Sequence, residues 1–181
     1  MFFINPFIYG GAGGDFESIA TVTVGSGGAQ SIAFTSIPGT YQHLQLRAVL
    51  RSTYAGSTAA AVGMTVNGSG LDRNHALQGN GTSAIAYTGT SGYIFNAPGA
   101  ASTASAFGAW VIDILDYAST TKNKTIRTFG GTDQNGIGFV EITSGLEQTL
   151  SAITSLSLGE PDLSYKLAQH STVALYGIKA P

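Results

Sequence analysis

The sequence predicts an all-β chain: an antiparallel two-sheet β-sandwich, jelly-roll-like, with an extended N-terminal arm. Three observations lead there. Apolar residues recur at every second position in many short runs. Asn-Gly and Pro-Gly pairs punctuate those runs. Helical signals are weak, and the richest alanine stretch, 97–106, contains Pro98 and Gly99 and reads as a loop with at most one helical turn. A two-sheet jelly roll of about eight strands suits a chain of this length.

Residues 1–14 read as a docking arm, an apolar tip on a hinge of Gly10, Gly11, Gly13 and Gly14. Pro6 interrupts the tip and no basic residue precedes it, so it is not expected to act as a signal peptide, and synthesis without an export signal is the expectation. Phe2, Phe3, Ile4, Phe7, Ile8 and Tyr9 carry the apolar surface, each worth about 1.5–3 kcal/mol when buried. The arm is therefore expected to lie against a neighbouring chain, by strand addition or by filling pockets.

Residues 15–181 read as one domain of strands. Ile32 and Phe34 alternate, and Leu44, Leu46, Ala48 and Leu50 share one face against Gln45, Arg47, Val49 and Arg51. Val62, Met64 and Val66 repeat the pattern, and Val111–Leu115 reads as a central strand, apolar on both sides of Asp113. The runs 126–129, 139–142, 153–158 and 173–178 bring the expected total to about nine or ten short strands. Asn67-Gly68, Asn80-Gly81 and Asn135-Gly136 predict tight hairpins. Pro38-Gly39 is a further turn signal, and 25–28 and 88–92 read as surface loops.

Composition narrows the function. Of 181 residues only 10% are charged, against about 25% in an average soluble domain. Hydrophobic content of 43% argues against disorder. A net charge of −2 and a pI near 5.8 give no electrostatic footprint for nucleic acid or an anionic membrane. No run approaches the ~18 apolar residues of a membrane helix. The chain has no cysteine, which removes disulfides, thiol catalysis and thiolate metal sites. A surface of Ser, Thr, Gly, Ala and Asn suits a subunit whose faces are covered by copies of itself.

No constellation of residues points to an enzyme. His43, His75 and His170 show no close ligand spacing, so no metal is expected. Asp113 and Asp116 are near in sequence but would point to opposite faces of a strand, and Asp116 reads as a turn acceptor. The segment 133–136 lacks the later ligands of a calcium loop. Nucleophile-elbow and phosphate-loop motifs are absent. The Asn-x-Ser/Thr triplets at Asn67, Asn80 and Asn123 include two hairpin Asn-Gly turns and read as by-products of turn chemistry. No cofactor and no catalytic residue are expected. Tyr41, Tyr54, Tyr87, Tyr93 and Phe95 fall in or near expected loops, where aromatics stack on sugars, anchor interfaces or plug the ends of a sandwich. Trp110 is expected in the core.

Several stretches together resemble a known family. They are 17–24, 32–47, Arg51-Ser-Thr53, 74–79, 106–117 with 122–125, and the ending Leu175-Tyr-Gly-Ile-Lys179. Their order resembles a widespread family of small structural proteins of tailed-bacteriophage virions, found as capsid decoration proteins or as tail-fibre and receptor-binding tips. The resemblance runs from about Asp15 onward and leaves out the arm. It implies a jelly-roll-like domain, a homotrimer on the particle exterior, and no catalytic residues. The expected function is a non-enzymatic virion protein that decorates or cements the capsid. Its expected partners are itself and, through the arm, the major capsid protein or another virion protein. The alternative is a tail-fibre or baseplate tip that binds a host-surface glycan, with Tyr54, Tyr87, Tyr93 and Phe95 as the candidate receptor or interface aromatics.

Overall fold

A computed structural model describes residues 15–89, 92–159 and 164–179, which form two antiparallel sheets packed as a β-sandwich, with no helix. The expected arm and its apolar tip lie outside the described residues. The larger sheet holds β1 (Phe16–Thr23), β3 (His43–Leu50), β6 (Arg73–Gly79), β7 (Ala84–Gly89), β9 (Gly108–Ile114), β10 (Lys124–Asp133), β11 (Gly138–Glu147) and β13 (Thr172–Ile178). Their order across the sheet is β1-β13-β3-β9-β10-β11-β6-β7. The smaller sheet holds β2 (Ser31–Phe34), β4 (Ala59–Val66), β5 (Ser69–Gly70), β8 (Tyr93–Pro98) and β12 (Leu156–Gly159). There β4 pairs with β12 on one side and with β5 and β8 on the other.

The two-residue period is what closes the core. Leu44, Leu46 and Leu50 of β3 and Ile112 and Ile114 of β9 are fully buried. They face Val62, Met64 and Val66 of β4 and Leu158 of β12. Trp110 lies flat on Phe95, with ring centroids 4.5 Å apart and planes 9° apart. The indole fits only because Gly108 and Gly130 flank it; a Cβ at either would overlap the ring.

The hairpin signals hold. Asn67 and Gly68 take φ of 49° and 86°, and Asn135 and Gly136 take 60° and 102°. At the third, Gly81 has φ 84° while Asn80 Oδ1 accepts from the amides of Thr82 and Ser83. The loop after β8 is also confirmed, with a device the sequence did not announce: the Arg51 guanidinium donates to Ser102 Oγ and to the carbonyls of Thr103 and Ala106.

Two expectations change. The run 153–158 becomes a strand only from Leu156. Ahead of it the amide of Ile153 is taken by the Tyr117 carbonyl, and those of Thr154 and Ser155 by Asn67 Oδ1. Tyr87, Tyr93 and Phe95 lie within β7 and β8, not in loops. Their segments mix Ala, Gly, Thr and Asn with aromatics, which blurs the alternation.

Candidate functional site

Two regions of the larger sheet stand out, one on each face. On the outer face, ladder partners share a side, so the registers line up one row across six strands. It runs Arg47, Val111, Phe129, Ile142, Leu77, Ala86. A parallel row two residues along runs Val49, Ala109, Gly131, Val140, Gly79, Ala84. Among these, Phe129 is 61% exposed, Val140 57%, and Ile142 and Leu77 51% each. Spanning five inter-strand gaps, the stripe is about 24 Å wide. The next row, Gln45, Asp113, Arg127, Ser144 and His75, is polar and borders it. At one end Arg47 lies over the stacked rings of Phe16 and Tyr176.

On the inner face the same strands turn polar. β8 is an edge strand lying over β10 and β11, and side chains of the larger sheet cap its open edge. Asn74 Nδ2 donates to the Tyr93 carbonyl at 2.6 Å, and Thr128 Oγ1 donates to that of Ile94 at 3.1 Å. The Glu141 carboxylate accepts from the Asn96 amide at 3.2 Å.

Glu141 is only 1% exposed and gathers further donors. Tyr87 Oη donates at 2.5 Å, Tyr93 Oη also donates, and Gln78 Nε2 donates at 3.3 Å. Burial, with the Glu141 carboxylate second, pushes both phenols well above the ordinary tyrosine value. Because the larger sheet extends past β8, a cleft of about 420 Å³ opens between β7 and β8, walled by Gln78, Ile85, Tyr87, Tyr93 and Asn96. Asn74 sits on its floor with a buried Oδ1 that has no hydrogen-bond partner.

Of the four aromatics singled out by sequence, only Tyr87 and Tyr93 come together. Phe95 is core. Tyr54 packs at a tilt against Tyr165, with ring centroids 4.7 Å apart, and does not line the cleft. Tyr41 covers Gly177 and donates to Glu17, whose carboxyl is held below its ordinary value by the Lys179 hydrogen bond. Asp113 accepts from Gln45 at 2.9 Å on the outer face. Asp116 has φ 48° and accepts from Gln42 and Lys122; its own amide donates to His43 Nδ1 at 3.0 Å. Among the described residues no group of three or more His, Asp or Glu could hold a metal ion. Glu160 and Asp162 lie outside the described residues.

The sequence does not mark the buried polar residues of β10 and β11, Glu141 and Lys124 among them. Glu141 is one acid among ten, and Lys124 ends the largely polar run 118–124, which reads as a turn. Lys124 is fully buried, with Nζ donating to the carbonyls of Ser119, Lys122 and Thr149. Burial lowers its pKa, against the opposing pull of Glu147. No local signal marks Glu141: in β11 Val140 and Ile142 alternate with Glu141 and Thr143, a pattern that predicts the apolar pair inward, the reverse of what is found.

No family model, curated protein or solved structure matches this chain.

Proposed function

We propose that this chain is a non-enzymatic structural protein of a tailed-bacteriophage virion, decorating or cementing the capsid exterior as a homotrimer. The supporting observation is the uncovered apolar stripe of the outer sheet face. A soluble monomer gains nothing by holding Phe129, Ile142, Leu77 and Val140 in water, and contiguous patches of this kind mark interaction surfaces. The stripe resembles the apolar centre of an interface, and the bordering row of Asp113, Arg127 and His75 resembles its polar rim. The low charge of the chain fits the same picture. The likeness of residues 15 onward to virion proteins supplies the setting, and the arm supplies the proposed attachment to the capsid.

The mechanism is stapling. Each site adds a few kcal/mol across a junction between capsid subunits, and many copies act in parallel. Quantitative mass spectrometry of gradient-purified particles tests the setting. Hundreds of copies per particle are expected, a dozen or fewer would favour a tail tip, and absence from the particle would overturn the reading. Light scattering of the full chain tests the assembly: a trimer is expected, and a monomer at high micromolar concentration counts against it.

A further inference from the structure

We propose that the cleft between β7 and β8 binds a neutral pyranose, with the Tyr87 ring as its apolar platform and the amides of Gln78 and Asn96 as partners for its hydroxyls. The first argument is the chemistry of the wall. Its volume of about 420 Å³ falls within the usual range of small-molecule sites. The lining pairs an aromatic ring and the 54%-exposed Ile85 with side-chain amides, and none of the lining residues is charged. A flat apolar surface beside hydroxyl-binding amides is what a sugar ring, with its C–H face and equatorial hydroxyls, requires.

The second argument is the position of Glu141. A buried carboxylate is costly, and an apolar residue of similar volume would pack there more cheaply. Its donors are Tyr87, Tyr93, Gln78 and Asn96, all walls of this one cleft, together with Thr143 behind them. Asn96 Nδ2 in turn donates to Tyr93 Oη at 2.9 Å. Both amides thus commit a nitrogen to the network, and their carbonyl oxygens remain as acceptors. The side chains are ordered before a ligand arrives, which removes part of the entropic cost of binding. Glu141 is therefore a positioning residue. Its lone pairs are already engaged, so a cation finds no free carboxylate, and its charge disfavours an acidic sugar.

Saturation-transfer NMR on the full chain tests the proposal, with maltotriose, chitotriose and lactose as neutral probes and sialyllactose as the anionic comparison. Transfer to at least one neutral probe is expected. It should weaken at least tenfold in Ile85→Arg, which fills the cleft from an exposed position, and in Gln78→Ala, while Leu150→Ser, at an exposed residue outside the cleft lining, leaves it unchanged. Circular dichroism confirms that the variants fold. Transfer to none of the neutral probes, transfer to sialyllactose alone, or transfer unchanged in both cleft variants would overturn the proposal.

Discussion

The two halves of the larger sheet are built on opposite plans. In β13, β3 and β9 the inner face carries Val173, Leu175, Leu44, Leu46, Leu50, Trp110 and Ile112, all buried. In β10, β11 and β6 the inner face carries Lys124, Thr128, Glu141, Thr143, Glu147 and Asn74, equally buried. The outer face shifts the other way: Gln45, Arg47 and Asp113 stand beside Val49 and Val111 on the first half, while the most exposed apolar residues, Phe129, Val140, Ile142 and Leu77, stand on the second. The first half is stabilised by removing apolar area from water. The second adds side-chain hydrogen bonds within the sandwich to the buried Ile126 and Ala76, and turns its larger apolar residues outward. On the proposed reading, a single sheet divides two tasks, self-sufficiency and association.

The comparison breaks most visibly at Glu141. Glu141→Ala removes no apolar contact, yet strands the Asn96 amide and one of the two tyrosine hydroxyls, the other being able to donate to its neighbour. With about 1–3 kcal/mol for each buried group left unsatisfied, the expected loss is on the order of 4 kcal/mol, read by urea denaturation. The tyrosine pair also sets an alkaline limit. Raised phenol pKa values mean that the folded state holds those protons more tightly than the unfolded chain. Their contribution is complete below about pH 10 and is lost as pH climbs beyond it. Phenolate absorbance should show Tyr87 and Tyr93, with the fully buried Tyr117, ionising only together with unfolding.

In the apolar half, Leu46→Ala leaves a cavity and should cost about 3 kcal/mol by the same denaturation measurement. Matching losses from a carboxylate and a leucine would show that the two plans stabilise equally. A Glu141→Ala loss below about 1 kcal/mol would instead mark the polar half as incidental to folding.

The outer face separates stability from association. Phe129→Ser should change unfolding free energy by less than about 1 kcal/mol, since only cross-strand contacts with Val111 and Ile142 are lost. The same variant should dissociate the proposed trimer in light scattering. Unfolding is best measured at a concentration where both proteins are monomeric.

The smallest effect belongs to Glu147. Burial, and Asp72 after it, raise this carboxyl above its ordinary value, and its Oε2 has no hydrogen-bond partner. Stability from this group is therefore present below the ordinary glutamate range and lost as pH rises through the raised value. Glu147→Gln should gain on the order of a few tenths of a kcal/mol at neutral pH and flatten that acid-side dependence.

Legibility followed the same division. β3, β4 and β13 could be read directly because their apolar residues face inward and their polar residues outward. The hairpins could be read because Asn-Gly tolerates positive φ. β11 could be recognised as a strand, but hydrophobicity alone assigns its faces the wrong way round, since Val140 and Ile142 face water. β7 and β8 were taken for loops because their roles depend on partners distant in sequence: Glu141 lies 54 residues from Tyr87 and 45 from Asn96. No local pattern encodes a buried carboxylate that collects donors from three other strands.

The capped edge of β8 also has a consequence in time. An amide on an open strand edge ordinarily trades its hydrogen with water quickly, whereas one inside a ladder waits for the strands to part. The Asn96 amide belongs to neither class. It sits on an edge, yet its hydrogen is held by a buried side chain, so release requires one carboxylate to turn and no backbone pair to separate. Deuterium uptake at that single position is a clock for the Glu141 side chain, running independently of the sheet around it.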